Sequence, residues 1–103
     1  MKVSGFDWDD GNHQKVLKHG VTRSDIEQVF MSEPFVEPDL RHSDFEERYR
    51  AVGQTAIGRY IFIVFTFRLL NNRSLIRPIS ARFMHQKEIK AYEKAVSKIE
   101  NRS

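Results

Sequence analysis

The stretch that most constrains this chain is residues 59–68, RYIFIVFTFR. Its central residues, 60–67, are all aromatic, β-branched aliphatic or threonine, with no glycine, proline or charge. Such a run reads as a strand buried on both faces, because a strand with one wet face alternates apolar with polar residues. It is too short for a free-standing helix or a membrane span. An arginine stands at each end. The rest of the chain must therefore pair with this strand, cover it, or place charge at its rim.

A chain of 103 residues suffices for one domain, residues 1–103, with a single modest core. Its 40% hydrophobic and 12% aromatic content excludes a disordered polymer. With no cysteine there is neither a disulfide nor a thiolate zinc site. The opening MKVSGFDWDD lacks the apolar segment of a signal peptide, so a soluble cytoplasmic protein without a membrane partner is expected. Charge is unevenly spread. Residues 1–67 carry 8 Lys/Arg against 11 Asp/Glu, net −3, whereas residues 68–103 carry 9 against 3, net +6. A basic final third on an acidic body suits one face to a polyanion, although a solvated lysine-rich helix gives the same count.

Along the chain, residues 3–8 alternate weakly, giving a short strand with Phe6 and Trp8 on one face and Gly5 weakening it. Residues 12–18 suit a short helix burying Val16 and Leu17 and stopped at Lys18-His19-Gly20. Ser24 with Glu27 matches a capping box opening a second helix, whose stripe is Ile26, Val29 and Phe30. Residues 34–43 form a proline-punctuated connection with an edge strand at Phe35 and Val36. Residues 46–52 read as a strand closed by Gly53, with Tyr49 and Ala51 facing one way and Arg48, Arg50 and Val52 the other. Residues 53–58 turn into the central run, and Asn71-Asn72 turns out of it. Residues 75–82 return as a strand that Pro78 places at an edge or bulge, with Arg82, Ser80 and Ile76 on one face. From about 84 to 99 a last helix carries Ile89, Tyr92, Val96 and Ile99 on one stripe and Lys87, Lys90, Lys94 and Lys98 opposite. The order β-α-α-β-β-β-α describes an α+β domain: a small antiparallel sheet with two N-terminal helices and one C-terminal helix.

Three stretches, FDWDDGNHQKVLKHGV at 6–21, RHSDFEERYRAVG at 41–53 and RPISARFMHQKEIKAYE at 77–93, together resemble the BrnT family of bacterial type II toxins. The likeness runs in order through nearly the whole chain. It implies a RelE-like fold, a ribonuclease that stops translation, and no cofactor. It also implies a partner, a BrnA-like ribbon-helix-helix antitoxin, with operator DNA bound only through the antitoxin complex.

RNA cleavage without metal needs a base for the 2′-hydroxyl, cations for the crowded phosphate, and an acid for the leaving oxygen. Arginine suits the phosphate because its planar fork binds two oxygens and stays charged. Arg48, Arg68 and Arg82 are the catalytic candidates for that role, and Arg77 with Ser80 for RNA binding; each arginine also has a plain reading as a rim ion pair. His85, Glu88 and Tyr92 recur at i, i+3 and i+7 on the last helix, offering an imidazole, a carboxylate and a phenol beside Arg82. His85 and Glu88 are candidates for proton transfer, and Tyr92 with Lys87 for RNA contact. Tyr92 in the core stripe and Glu88 paired with Arg82 are the structural alternatives. His19 and Lys18 are candidates by residue type, with helix termination as their simpler role. His13 and His42 read as surface residues. Asp7, Asp9 and Asp10 read as a helix opening rather than a metal site, so no metal is expected. Two functions remain open: a metal-independent ribonuclease toxin, or a catalytically weak or inactive toxin-like module that binds an antitoxin and tunes operator repression.

Overall fold

A computed structural model describes residues 3–42 and 46–100, the side chains of His42 and Glu100 aside. The apolar run forms the central strand of an antiparallel sheet ordered β1-β2-β3-β4. The strands are β1 (Phe35–Pro38), β2 (Tyr49–Gln54), β3 (Tyr60–Leu70) and β4 (Arg73–Phe83). Asn71 and Asn72, both at positive φ, make the two-residue turn from β3 to β4, with Leu70 opposite Arg73. That conformation matches the twist of the strands it joins. Three helices complete the domain: α1 (Asp10–Leu17), α2 (Arg23–Met31) and α3 (Gln86–Glu100). The α+β class and the element order follow the expectation from the sequence.

One face of the sheet is closed. Ile61, Ile63 and Phe65 of β3 are fully buried with Ala51 of β2 and Ile76 and Ala81 of β4, under Val16, Val21, Ile26 and Val29. Phe30 of α2 meets Phe65 edge-on at 5.0 Å and Phe6 at 5.8 Å, while Tyr49 stacks on Phe65 at 5.6 Å. Each such side chain contributes roughly 1.5–3 kcal/mol by leaving water, so this face dominates stability. Gly53 lies inside β2 rather than closing it. A Cβ there would stand 2.8 Å from Val29 Cγ1, so the glycine lets α2 sit against the sheet.

The other face is only half-buried, which corrects the expectation of a strand covered twice. Phe62 and Val64 are partly exposed, and the guanidinium of Arg82 stacks 5.0 Å from the Phe62 ring centre. Arg82 covers part of this face and Tyr92 of α3, against Phe35 and Tyr60, another part.

Several local expectations change. Residues 3–8 make a single parallel bridge, Phe6 to Ile76, along the outer edge of β4. Backbone bonds from Ser4 to Ser74, Ile76 to Gly5 and Asp7 to Ile76 shield that edge. In α1, Asp9 and Asn12 close a reciprocal capping box, and Leu17 is exposed where Val16 is buried. The box opening α2 uses Thr22 and Asp25 instead of Ser24 and Glu27. Ser24 takes a bond from Gln28, and Glu27 accepts one from Trp8 Nε1. Pro78 stands at both an edge and a bulge: Val64 pairs with Ser80 but Phe65 with Pro78, so Ile79 is the extra residue. The bulge breaks the alternation of β4 and separates Ile76, in the core, from Ser80 and Arg82 on the open face. His13 is engaged, its Nδ1 accepting from Arg23 Nε at 2.7 Å. Ser43 and Asp44 lie outside the described residues.

Candidate active site

Strand register lays out the open face in rows, because directly paired residues share a side. One row runs Phe35, Val52, Phe62, Arg82 and the next Glu37, Arg50, Val64, Ser80. Thr66 and Arg77 follow, joined by Arg48 just before β2. Arg68 is two residues beyond Thr66 on β3. Five arginines and a serine therefore occupy one surface, although they are scattered over thirty-odd positions of sequence.

At the β3–β4 turn end, a pocket of about 240 Å³ is lined by Lys15, Arg48, Arg68 and Arg77 with Glu46, Gly11, Asn12, Pro78 and Ile79. The four cations come from α1, the approach to β2, β3 and β4. Glu46 is the carboxylate of the lining, 3.7 Å from Arg48 Nε and 4.0 Å from Arg68 Nη2. At those separations and exposures the two ion pairs with Glu46 are long, surface-type pairs. Thr66 Oγ1 donates to the Glu47 carbonyl at 2.7 Å, pinning the segment that carries Glu46 and Arg48. Arg77 is held differently. Its Nη1 lies 3.3 Å from Asp7 Oδ2 and its Nη2 2.9 Å from Asp9 Oδ2. Asp9 is held below the usual carboxylate range first by the Asn12 backbone N–H, with Arg77 adding to it. Both acids are thus engaged in fixing the N-terminal segment to β4. Asn12, buried, donates to the carbonyls of Asp7 and Pro78 at 2.9 Å each and seats the start of α1 beside the bulge.

At the far end of β4, Arg82 and Glu88 form a forked pair with two bonds of 2.7 Å. Glu88 Oε1 also accepts the backbone N–H of His85 at 3.0 Å. These bonds, the Arg82 guanidinium first, pull the Glu88 carboxyl down to about 2. Arg82 is in turn raised by the same partner. Glu88 is therefore a fixed anion at neutral pH and a weak base. Its position orients Arg82 and starts α3. His85 stands exposed at that start, and Lys87 is exposed two residues on.

Tyr92 meets Phe35 and Tyr60 edge-on, with ring centres 6.3 and 5.8 Å away, and so packs α3 against the sheet. Lys18 is the C-cap of α1 and His19 follows before Gly20, whose φ is +78°. Both are exposed at the end of α1 remote from the pocket, and neither lines it. The structure thus gathers Arg48, Arg68 and Arg77 in one place and Arg82, Glu88 and His85 in another, with Ser80 between. By strand rise the two lie about 15 Å apart along β4. Lys15 and Phe62 had gone unremarked. Lys15 shares a helix side with Asn12, three residues earlier, but nothing local says that this side meets two strands from the other end of the chain. Among the described residues, no three His, Asp or Glu side chains group as metal ligands.

Fold and surface define a small α+β domain with a cation-lined face and pocket. The family model for BrnT, the ribonuclease toxin of type II toxin–antitoxin systems, matches residues 8–88, and the chain belongs to that family. Its family is one of ribonuclease toxins, each with a protein antitoxin as partner. No curated protein matches the chain closely enough to count as a relative. No described helix is long and apolar enough to cross a membrane.

Proposed function

We propose that this chain is an endoribonuclease that cleaves RNA without metal and so inhibits translation in the cytoplasm. RNA lies along β4, one phosphate in the pocket and the strand continuing past Ser80 to Arg82. Arg48 and Arg68 stabilise the phosphate, with Lys15 adding charge. Arg77 supports the pocket from within its pairs to Asp7 and Asp9. Glu88, at about 2, keeps Arg82 aimed rather than moving protons, and His85 beside it, about 15 Å from the pocket, contacts the strand that continues past Ser80. Guanidinium groups supply the charge a metal ion would otherwise bring. Tyr92 and Lys87 flank this path on α3, while Lys18 and His19 stand outside it.

The observation that carries this reading is the convergence of four cations from four elements on one pocket. Purified chain incubated with total RNA in EDTA tests it. Cleavage is expected, with Arg48→Ala plus Arg68→Ala slowing it about 100-fold, a typical loss when phosphate-stabilising donors are removed. Intact RNA at micromolar folded protein overturns it.

A BrnA-like ribbon-helix-helix antitoxin is the proposed partner, with operator DNA reached through that complex. One observation favours the second reading, a weak or inactive module that adjusts repression: Arg50, Arg77 and Arg82 each already face a carboxylate. Expression distinguishes the two, since a toxin arrests growth and a module does not.

A further inference from the structure

The C-terminal helix is held to the sheet near its beginning and stands off it towards its end. Its attachments are the Arg82–Glu88 fork, the Tyr92 rings, and the Tyr60 hydroxyl, which donates to Glu93 at 3.2 Å. Beyond Glu93 the apolar stripe continues through Val96 to Ile99, which is 57% exposed. Between this half of α3 and the α2–β1 connection runs an open groove of about 500 Å³. Pro34, Phe35 and Val52 form one wall and Tyr92 and Val96 the other, with Glu33 and Glu93 at the rim. A second, shallower hollow lined by Met31 and Ala56 adjoins it through the polar residues Ser32, Gln54 and Thr55. Phe35 and Met31 are 42% and 84% exposed.

We infer that this groove is the anchoring site for the protein antitoxin, taking an apolar segment flanked by lysine or arginine. The inference rests on the toxin reading, because that reading supplies a protein partner. Charge selects among occupants. The acidic rim repels RNA, and pairing two copies groove to groove brings their Glu33 and Glu93 together. A protein segment with basic flanks meets neither cost. The groove is also well placed to inhibit. Phe35 and Val52 lie in the same register row as Phe62 and Arg82, three strand spacings or about 14 Å across the sheet. A segment seated there extends directly over Arg82 and blocks RNA without needing to fill the cationic pocket.

The test uses a BrnA-like antitoxin, titrated calorimetrically into folded chain. Val96→Asp is expected to weaken binding at least 100-fold. Ser97→Arg, at an exposed lining position, narrows the groove and weakens it about tenfold. Glu33→Lys with Glu93→Lys gives a similar loss. RNA cleavage by the Val96 and Ser97 variants stays at the level of the unmodified chain. Binding unchanged in both Val96→Asp and Ser97→Arg overturns the groove while leaving the toxin reading intact. Failure of the unmodified chain to bind removes the antitoxin partner and the groove assignment with it. Loss of RNA affinity in Val96→Asp, or a dimer in sedimentation that this variant abolishes, assigns the groove to RNA or to a second copy and also overturns the inference.

Discussion

The two faces of one strand behave as different materials. On β3, Ile61, Ile63 and Phe65 have no contact with solvent, while their neighbours Phe62 and Val64 are half-buried, Phe62 beneath the Arg82 guanidinium. The closed face holds the domain together through buried apolar area. The open face contributes little cohesion and instead presents charge that a polyanion can displace. The same backbone thus serves stability with one set of side chains and presents charge with the next.

That division can be broken from either side. Phe65→Ala should produce the largest effect, about 3–5 kcal/mol of lost stability, because it leaves a cavity beneath α2. Denaturant unfolding measures it, and whatever fraction remains folded should still cleave RNA at the normal rate. Arg48→Ala with Arg68→Ala should do the reverse: about 100-fold slower cleavage with a melting temperature nearly unchanged. Loss of stability comparable to Phe65→Ala would show that the open face is structural after all. Asp9→Ala should cost about 1 kcal/mol through the lost cap of α1. It also leaves Arg77 with Asp7 alone of its two carboxylates, so the pocket becomes more cationic and RNA binding tightens.

The smallest effect sharpens the comparison through pH. Glu88 is lowered from 4.5 to about 2 in the folded chain, so its contribution is complete above pH 4.5 and is lost as pH falls from there towards 2. Both partners are about a third exposed, which limits the contribution to under about 1 kcal/mol. Glu88→Gln should flatten that part of the stability profile and loosen α3. An unchanged profile would mean that Arg82 and Glu88 do not hold each other in solution.

Local chemistry in the sequence was enough to place the central strand, the Gly20 stop, the Asn71-Asn72 turn and the α3 stripe. Such features depend on a few adjacent residues and on backbone preferences that travel with them. The opposite orientations of Arg50 and Ala51 followed from strand alternation alone. The cap of α2 was less legible, because Thr22 and Ser24 both have suitable hydroxyls with an acid three residues later. Only packing against the sheet chooses between them. The bulge at Ile79 was hinted at by Pro78, yet its consequence for Arg82 and Ile76 was not. An extra residue reverses the alternation for everything beyond it.

The run at 59–68 determined by itself that this chain needs a sheet, and the basic final third determined the sign of its surface. Which residues share that surface was decided in three dimensions. Lys15, Arg48, Arg68 and Arg77 come from four elements, and only strand register and the seat of α1 on β4 bring them to one pocket. Likewise, the α3 stripe was plain in the sequence, but not that half of it would stand away from the sheet. Periodicity says which side of a helix is apolar; the shape of what it rests on says how much of that side is covered.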